Sequence, residues 1–175
     1  MGLITPNDFP NLQELYIAQL RYLLSAENQI VKGLPKMIEH AVDLRLKGAF
    51  QSHLQETEVH AARLEQLLND FAMDADDKKD PILAAIVGSG ENITKETTPG
   101  AVRDAGLIAT AQKVEHYEIA SCGSVRGWAE QLGLPEHAMI LEQTLEEEKH
   151  ADQLLTEISS RTNPTASVAA LCAVA

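Results

Sequence analysis

A pair of glutamates, Glu115 and Glu118, stands where a helix would bury its apolar stripe. Glu115 falls on a stripe of small or apolar residues at spacings of three and four: Ala101, Ala105, Ile108, Ile119 and Cys122. Glu118 lies one helical turn further along the same side. A buried carboxylate needs a positive partner, because burying an unpaired charge costs several kcal/mol or forces protonation. An Arg or Lys from another helix would suffice for a lone glutamate, whereas several converging glutamates favour a metal ion.

Acidic side chains occupy comparable positions in three other segments with helical periodicity. Glu27 interrupts the apolar stripe of the first segment, and Glu56 lies beside the stripe of the second. Glu147 and Glu148 both lie near the centre of the stripe in the last. Carboxylates gathered in one bundle core would repel strongly unless divalent cations or protons neutralised them.

Histidines accompany two of these acids at helical spacing. His53 and His60 lie one turn either side of Glu56, and Glu147-x-x-His150 has the spacing that carboxylate-bridged di-iron sites use. A single such histidine is more often a satisfied boundary residue, but acids on four helices at once favour a metal site. The candidate metal ligands are Glu27, His53, Glu56, His60, Glu115, Glu118, Glu147 and His150, with Glu148 as the alternative to Glu147.

Four long helices are predicted to position these side chains. Their expected ranges are about 8–41, with Asn7 or Asp8 as cap and a kink or brief break at Pro35, then 46–72, 99–132 and 136–160. A crossover over 73–99 carries one short helix near 81–87, before Gly-rich punctuation. The pattern predicts an all-α fold, a ferritin-like four-helix bundle with a short fifth helix in its crossover. Residues 1–160 would form the bundle and 161–175 a flexible C-terminal tail.

Composition limits the function further. The chain has 175 residues and a formal charge of −12, which argues against nucleic acid and anionic membranes as partners. Oxygen ligands with one or two imidazoles suit iron or manganese, whereas zinc favours sulfur or more histidine. The two cysteines are far apart and form no C-x-x-C motif. Neither an export signal nor a membrane span is evident, so a soluble, cytoplasmic protein is expected.

Four phrases of the sequence resemble a known family. They are Ala26-Glu27-x-Gln29, His53-Leu-Gln-Glu56-Thr57, Ala111-Gln-Lys-Val-Glu-His-Tyr-Glu-Ile-Ala120 and Leu145-Glu-Glu-Glu-Lys149. They are similar to the YciF/YciE-type bacterial stress proteins, a branch of the ferritin-like superfamily. The resemblance covers about residues 8–160 and implies a homodimeric bundle with a rubrerythrin-like di-metal centre.

The resemblance implies ligand positions residue by residue. The first-helix carboxylate maps to Glu27, the third-helix pair to Glu115 and Glu118, and the fourth-helix glutamate to Glu147. The second helix departs from the rubrerythrin pattern, because Thr57 stands where a ligand glutamate is expected. Its ligands must therefore come from His53, Glu56 and His60. No rubredoxin-like cysteine domain is present in the sequence, so any electron donor would be external and is unknown.

Three functions remain open at this point. The leading hypothesis is a di-iron, or iron and manganese, protein of stress response whose centre reacts with oxygen or peroxide. The second is an iron-sequestering protein without turnover. The third is a metal-free interaction bundle whose acids are protonated or paired with arginine. The sequence identifies no catalytic residue and no organic substrate, and leaves open whether the protein is a di-iron oxidoreductase.

Overall fold

Five α-helices and no strand occur in the ranges that the structure describes. The computed structural model describes residues 9–73 and 79–172, with side chains up to residue 168. The helices are α1 (Leu12–His40), α2 (Leu44–Asn69), α3 (Pro81–Glu96), α4 (Ala101–Gln131) and α5 (Pro135–Cys172). Within those ranges no helix combines the length and apolarity needed to cross a membrane. The predicted all-α bundle with a fifth helix in its crossover is confirmed.

The four long helices form two hairpins that lie against each other. α1 packs along α2 and α4 along α5, and the short connection within each hairpin makes the two helices antiparallel. The hairpins meet where α1 contacts α4 and α2 contacts α5. α3 covers the side of the bundle formed by α1 and α4. Every long helix therefore has a face toward the centre of the bundle.

Short polar side chains begin three of the helices by accepting hydrogen bonds from free backbone N–H groups. Asn11 Oδ1 accepts from the Glu14 N–H at 2.9 Å at the start of α1. Asp43 and Asp80 cap α2 and α3 in the same way. The expected caps at residues 7 and 8 lie outside the described residues, and Asn11 serves instead.

The crossover helix is longer than predicted. The Gly-Ser-Gly sequence at 88–90 was expected to end it, but α3 continues to Glu96. Glycine lets α3 approach α4 closely, because a Cβ on Gly90 would lie 2.9 Å from Thr110 Cγ2. In the same interface, a Cβ on Gly106 would lie 2.5 Å from Ile93 Cγ2. These glycines therefore act as contact points between helices rather than as helix breakers.

Two helices run through an internal proline. Of the kink or brief break expected at Pro35, the break does not occur, and α1 continues to His40, close to the predicted end. The last helix does not end near Ser160 but continues through Pro164 to Cys172. Thr162 helps this continuation because it is buried and its hydroxyl donates to the Ile158 carbonyl at 3.2 Å. The division into a bundle of residues 1–160 and a flexible tail stays a prediction.

The apolar core is divided into two clusters by a polar layer. The first cluster includes Tyr16, Leu20, Leu64, Leu67, Leu68, Val125 and Leu141. The second includes Leu34, Leu46, Phe50, Leu107, Ile108, Leu155 and Ile158. Between residues of these two clusters, each long helix places buried acids or histidines: Glu27 in α1, His53 and His60 in α2, Glu115 and Glu118 in α4, and Glu148 in α5. The ionisable side chains therefore lie at mid-length of the bundle, with a hydrophobic cluster on either side of them.

The buried carboxylate of Asp104 holds the turn between α1 and α2 against the start of α4. Its two oxygens accept hydrogen bonds from the N–H groups of Val42 and Asp43, each at 2.8 Å. Because Asp104→Ala leaves both donors without this partner, we expect it to lower the free energy of unfolding by about 2 to 4 kcal/mol. Urea denaturation of the purified variant measures this change. Asp104→Asn keeps one acceptor and should lose about half as much. Wild-type stability in Asp104→Ala would refute this role.

Candidate metal centre

Six side chains converge in the polar layer, and all of them are buried. They are Glu27 from α1, His53 and His60 from α2, Glu115 and Glu118 from α4, and Glu148 from α5. The most exposed of them, His53, retains only 7% of its accessible surface. The structure therefore brings together five of the predicted ligands and the alternative residue Glu148.

The six residues form two groups that share Glu148. The first group consists of His53, Glu115, Glu118 and Glu148, and the second of Glu27, His60 and Glu148. Within each group, one possible ligand atom per residue lies within 4.8 Å of the others. Donors around a six-coordinate ion with bonds of about 2.1 Å are separated by up to about 4.2 Å. Shifts of less than an ångström would thus allow each group to surround one ion.

Each of the six residues has at least one buried nitrogen or oxygen without a hydrogen bond. Both carboxylate oxygens of Glu118 and of Glu148 are in this state, as are both ring nitrogens of His53. His60 Nδ1 and Glu148 Oε1 are 2.8 Å apart, yet their alignment makes no hydrogen bond. Buried polar atoms are nearly always paired in native proteins. Such a concentration of unpaired ligand atoms is the arrangement that a bound cation would satisfy.

On α2, the two imidazoles lie on the inner face and Glu56 lies beside it. His53, Thr57 and His60 follow one another at spacings of four and three, and all are buried. Thr57 cannot reach across to a metal as a glutamate would, and its hydroxyl donates to the His53 carbonyl at 2.8 Å. The Glu56 side chain is 39% exposed, with Oε2 3.8 Å from His53 Nδ1. Of the three candidates left open on α2, the histidines therefore face the other buried acids.

On α5, Glu148 occupies the inner position and Glu147 does not. Leu141, Leu145, Glu148 and Leu155 lie on one buried stripe, and Glu148 has no exposed surface. The Glu147-x-x-His150 spacing suggested Glu147, but the periodicity of the buried leucines was the better signal for the inward carboxylate. His150 is exposed and belongs to neither ligand group.

Glu147 instead lies behind an imidazole of the centre. Its Oε2 is 2.8 Å from His60 Nε2, and the Arg63 guanidinium donates to both of its oxygens. His60 Nδ1 is on the opposite edge of the ring, 3.7 Å from Glu27 Oε1. A carboxylate that bonds the outer nitrogen of a ligand histidine fixes its ring and raises its basicity. Glu56 lies on the outer side of His53 without a hydrogen bond to it, at 3.8 Å, so neither Glu56 nor Glu147 is among the six converging side chains.

Burial and mutual repulsion oppose ionisation of the inner carboxylates. Burial is the largest factor that raises the pKa values of Glu27, Glu115 and Glu118, and the charge of Glu148 raises each further. Burial alone would lower the pKa of His60, but the carboxylates of Glu148 and Glu27 outweigh it and raise that pKa to about 9. Two divalent cations would balance four ionised glutamates. The chemistry of the donors, oxygen with imidazole and no thiolate, suits iron or manganese.

Comparison with known proteins places this architecture in a family. Residues 11–167 match the family model described as the domain of unknown function DUF892. The chain belongs to the DUF892 family. It is 36% identical over 149 residues to Protein YciF of Escherichia coli K12, covering 85% of this chain and 90% of that protein. The predicted resemblance to YciF-type proteins is therefore confirmed.

Two solved structures have the same fold as this chain. The crystal structure of the E. coli stress protein YciF superimposes with a TM-score of 0.84 at 35% identity, covering 88% of this chain and 98% of that one. YcfI of Rhodopseudomonas palustris, described as a candidate structural protein, gives a TM-score of 0.83 at 35% identity. That match covers 87% of this chain and 98% of the YcfI chain.

Because Glu147 lies outside the ligand groups of this DUF892 member, its substitution is predicted to have a partial effect. If this centre holds metal, we expect Glu147→Gln to weaken that binding about 10- to 100-fold without abolishing it, because a neutral partner holds and polarises His60 less well. Competition with a chelator of known affinity measures the change. Glu146→Gln is the matched control, since the Glu146 side chain is 61% exposed one position away. If Glu147→Gln lost metal as completely as Glu118→Gln, Glu147 would be a direct ligand instead.

Proposed function

We propose that this DUF892 chain binds two divalent metal ions, iron or manganese, in the polar layer of its bundle. The observation that carries the proposal is the convergence of unpaired, buried carboxylate oxygens and imidazole nitrogens from four helices. A protein gains nothing in stability from leaving such atoms unpaired, since each costs about 1 to 3 kcal/mol. Bound cations would convert this cost into binding free energy.

Each proposed ligand has a defined place. His53, Glu115 and Glu118 would hold the first ion, Glu27 and His60 the second, and Glu148 would lie between the two. Glu56 and Glu147 would orient the imidazoles from outside. Because His60 must lose a proton to ligate through Nδ1, metal binding at neutral pH would release protons from the centre.

We further propose that the loaded centre reacts with oxygen or peroxide. A di-iron or iron–manganese centre, when bound, supplies the electrons for reducing such oxidants. The chain's own residues provide burial that excludes bulk water, and carboxylates able to change between one and two metal bonds as charge changes. The relation to YciF, described as a stress protein, supports a role in stress response. The homodimer and the cytoplasmic location stay predictions.

A second candidate is a metal-free structural or interaction bundle. The raised pKa values of Glu27, Glu115 and Glu118 favour it, because protonated carboxyls need no cation. The description of YcfI as a candidate structural protein points the same way. Iron storage without turnover is an intermediate possibility. The protein would bind iron, as in the first proposal, but would not react with oxygen or peroxide.

Metal content separates these functions. The protein, purified without chelator or affinity nickel, is loaded anaerobically with Fe²⁺ or Mn²⁺, desalted and analysed by mass spectrometry for metal. We expect two ions per chain, one for each ligand group, and a sharp loss in Glu118→Gln but not in Glu146→Gln. No retained metal in the wild type would establish the metal-free bundle. Two retained irons that consume no peroxide would favour storage.

A further inference from the structure

A largely apolar cavity of about 140 Å³ lies beside the centre, within the second hydrophobic cluster. All five helices contribute to its wall, which includes Ile30, Leu34, Phe50, Leu107, Ala111 and Leu155. Native cores seldom leave voids much larger than a water molecule, since tight packing gives dispersion energy that a void loses. This space is partly open, so an apolar occupant would also cover hydrocarbon that otherwise faces water.

The cavity touches one metal position and not the other. His53 and Glu115, both members of the first ligand group, form part of its wall. Glu27 and His60 of the second group do not line it. A molecule in the cavity would thus lie against the first proposed ion, while the second stays sealed by the first cluster and the helices around it.

The size of the cavity limits its occupant. A cavity of about 150 Å³ lined by Leu, Ile and Phe stays free of water and takes up benzene or xenon. Such a space holds a single ring or a short branched chain, and a larger molecule would have to protrude between the helices. Lys36 and Glu91 also line the cavity, and their exposed ion pair of 3.0 Å joins α1 to α3.

The charge of the wall limits the occupant as well. Glu115 and Glu56 lie at the end next to the centre, and Lys36, the only lysine or arginine among the described lining residues, is already paired with Glu91, so an organic anion would be repelled unless it bound a metal directly. A strongly hydrated cation would have to lose its water against an apolar wall. A neutral molecule meets neither cost.

We propose that this cavity binds a small, neutral, mainly hydrocarbon molecule of about the size of benzene or toluene, next to His53 and Glu115. The location beside the first ion rests on the proposed function and makes the bound molecule a candidate substrate of that centre. The binding itself rests only on the size and the lining of the cavity. Binding and metal loading can therefore be tested separately.

Toluene is the probe, and the first experiment uses the metal-free full-length chain. We expect saturable binding by calorimetry and nuclear Overhauser effects between toluene protons and the methyl groups of Ala111 and Thr110. Ala111→Leu fills the cavity and should weaken toluene binding at least tenfold, whereas Ala120→Leu adds the same group on an exposed position of α4. Leu107→Ala enlarges the cavity and should improve naphthalene binding relative to toluene. No saturable toluene binding, or equal binding by wild type and a folded Ala111→Leu, would overturn the proposal.

The second experiment locates the ligand relative to the centre. In protein loaded with Mn²⁺, toluene protons should relax faster than in protein loaded with Zn²⁺, because a paramagnetic ion lies close to them. Toluene binding with equal relaxation in the two forms would disprove the location at the first ion. Failure of metal loading would refute the proposed function but leave the calorimetry intact. Metal loading without toluene binding would refute this inference alone.

Discussion

Replacing Glu148 by glutamine is expected to abolish binding of both proposed metal ions at once, because this residue belongs to both candidate ligand groups. Glu27→Gln affects only the second group and should leave about one ion per chain. Metal analysis after anaerobic loading measures both results. Glu146→Gln again serves as the control on the same helix. Retention of two ions by Glu148→Gln would show that the two groups do not share a bridging ligand.

Glu148→Gln should have opposite effects on the stability of the protein with and without metal. In the metal-free protein, Glu148 raises the pKa values of Glu27, Glu115 and Glu118 and attracts the imidazolium of His60, so removing its charge relieves three repulsions at the loss of one attraction and should raise the melting temperature. In the presence of metal, the wild type gains about 4 kcal/mol at a ligand concentration 1,000 times Kd, and the variant should gain almost nothing. Thermal melts in chelator and in excess Mn²⁺ test this. A variant less stable than wild type in both solutions would argue for a purely structural Glu148.

The metal-free protein is expected to be most stable in mildly acidic solution and to lose stability as the pH rises from about 5 to 9. The pKa values of Glu27, Glu115 and Glu118 are raised above 4.5 by burial, so the folded state binds protons that the unfolded state releases. This contribution is complete below the unfolded pKa and declines as the carboxyls ionise. Each additional bound proton changes the free energy of unfolding by about 1.4 kcal/mol per pH unit.

Deprotonation of His60 also lowers the stability of the folded protein as the pH rises, but over a higher pH range. Its pKa is 6.5 in the unfolded chain and about 9 in the folded protein, so its contribution disappears as the pH rises through this interval. Below about pH 4.5 the trend reverses, because Arg63 and His53 lower the pKa values of Glu147 and Glu56 and stabilise their charged forms. Together these shifts place the maximum near pH 5.

Urea unfolding in chelator at several pH values measures this profile. Glu118→Gln removes one of the carboxyl groups with a raised pKa, so the free energy of unfolding should change less steeply with pH. This difference distinguishes the effect of the centre from that of the overall charge of the chain. Excess Mn²⁺ should reverse the slope, because metal competes with protons for the same ligand atoms and binds more tightly as the pH rises. A metal-free protein whose stability stays constant or increases from pH 5 to 9 would contradict the ionisation pattern of the centre.

Much of the fold follows from periodicity alone. Apolar residues at spacings of three and four marked the four long helices, and the same stripes identified Glu27, Glu115 and Glu118 as inward. On α5 the motif suggested Glu147, while the stripe left both Glu147 and Glu148 possible. The two positions differ by a rotation of about 100°, which decides between burial and exposure. Glu148 is the buried one, because it continues the inner face of Leu141 and Leu145.

Other features depend on contacts between distant segments. From local propensity, Gly90 would be expected to end a helix. In the structure it lies against Thr110 of the neighbouring helix, a contact that local propensity cannot predict. The outer positions of Glu56 and Glu147 likewise depend on which ring nitrogen and which arginine lie within reach. Such assignments need three-dimensional placement, and no spacing rule could have supplied them.

The polar layer between the two hydrophobic clusters also determines where this bundle can open. Each end of the bundle has its own hydrocarbon packing, whereas the middle, without a bound cation, is held by carboxyl groups that gain from meeting water. Local opening there costs less than unfolding either end. Without cations, the backbone amides around the layer would exchange with solvent sooner than those at the ends. The bundle would thus have a built-in entry for ions that leaves its ends packed.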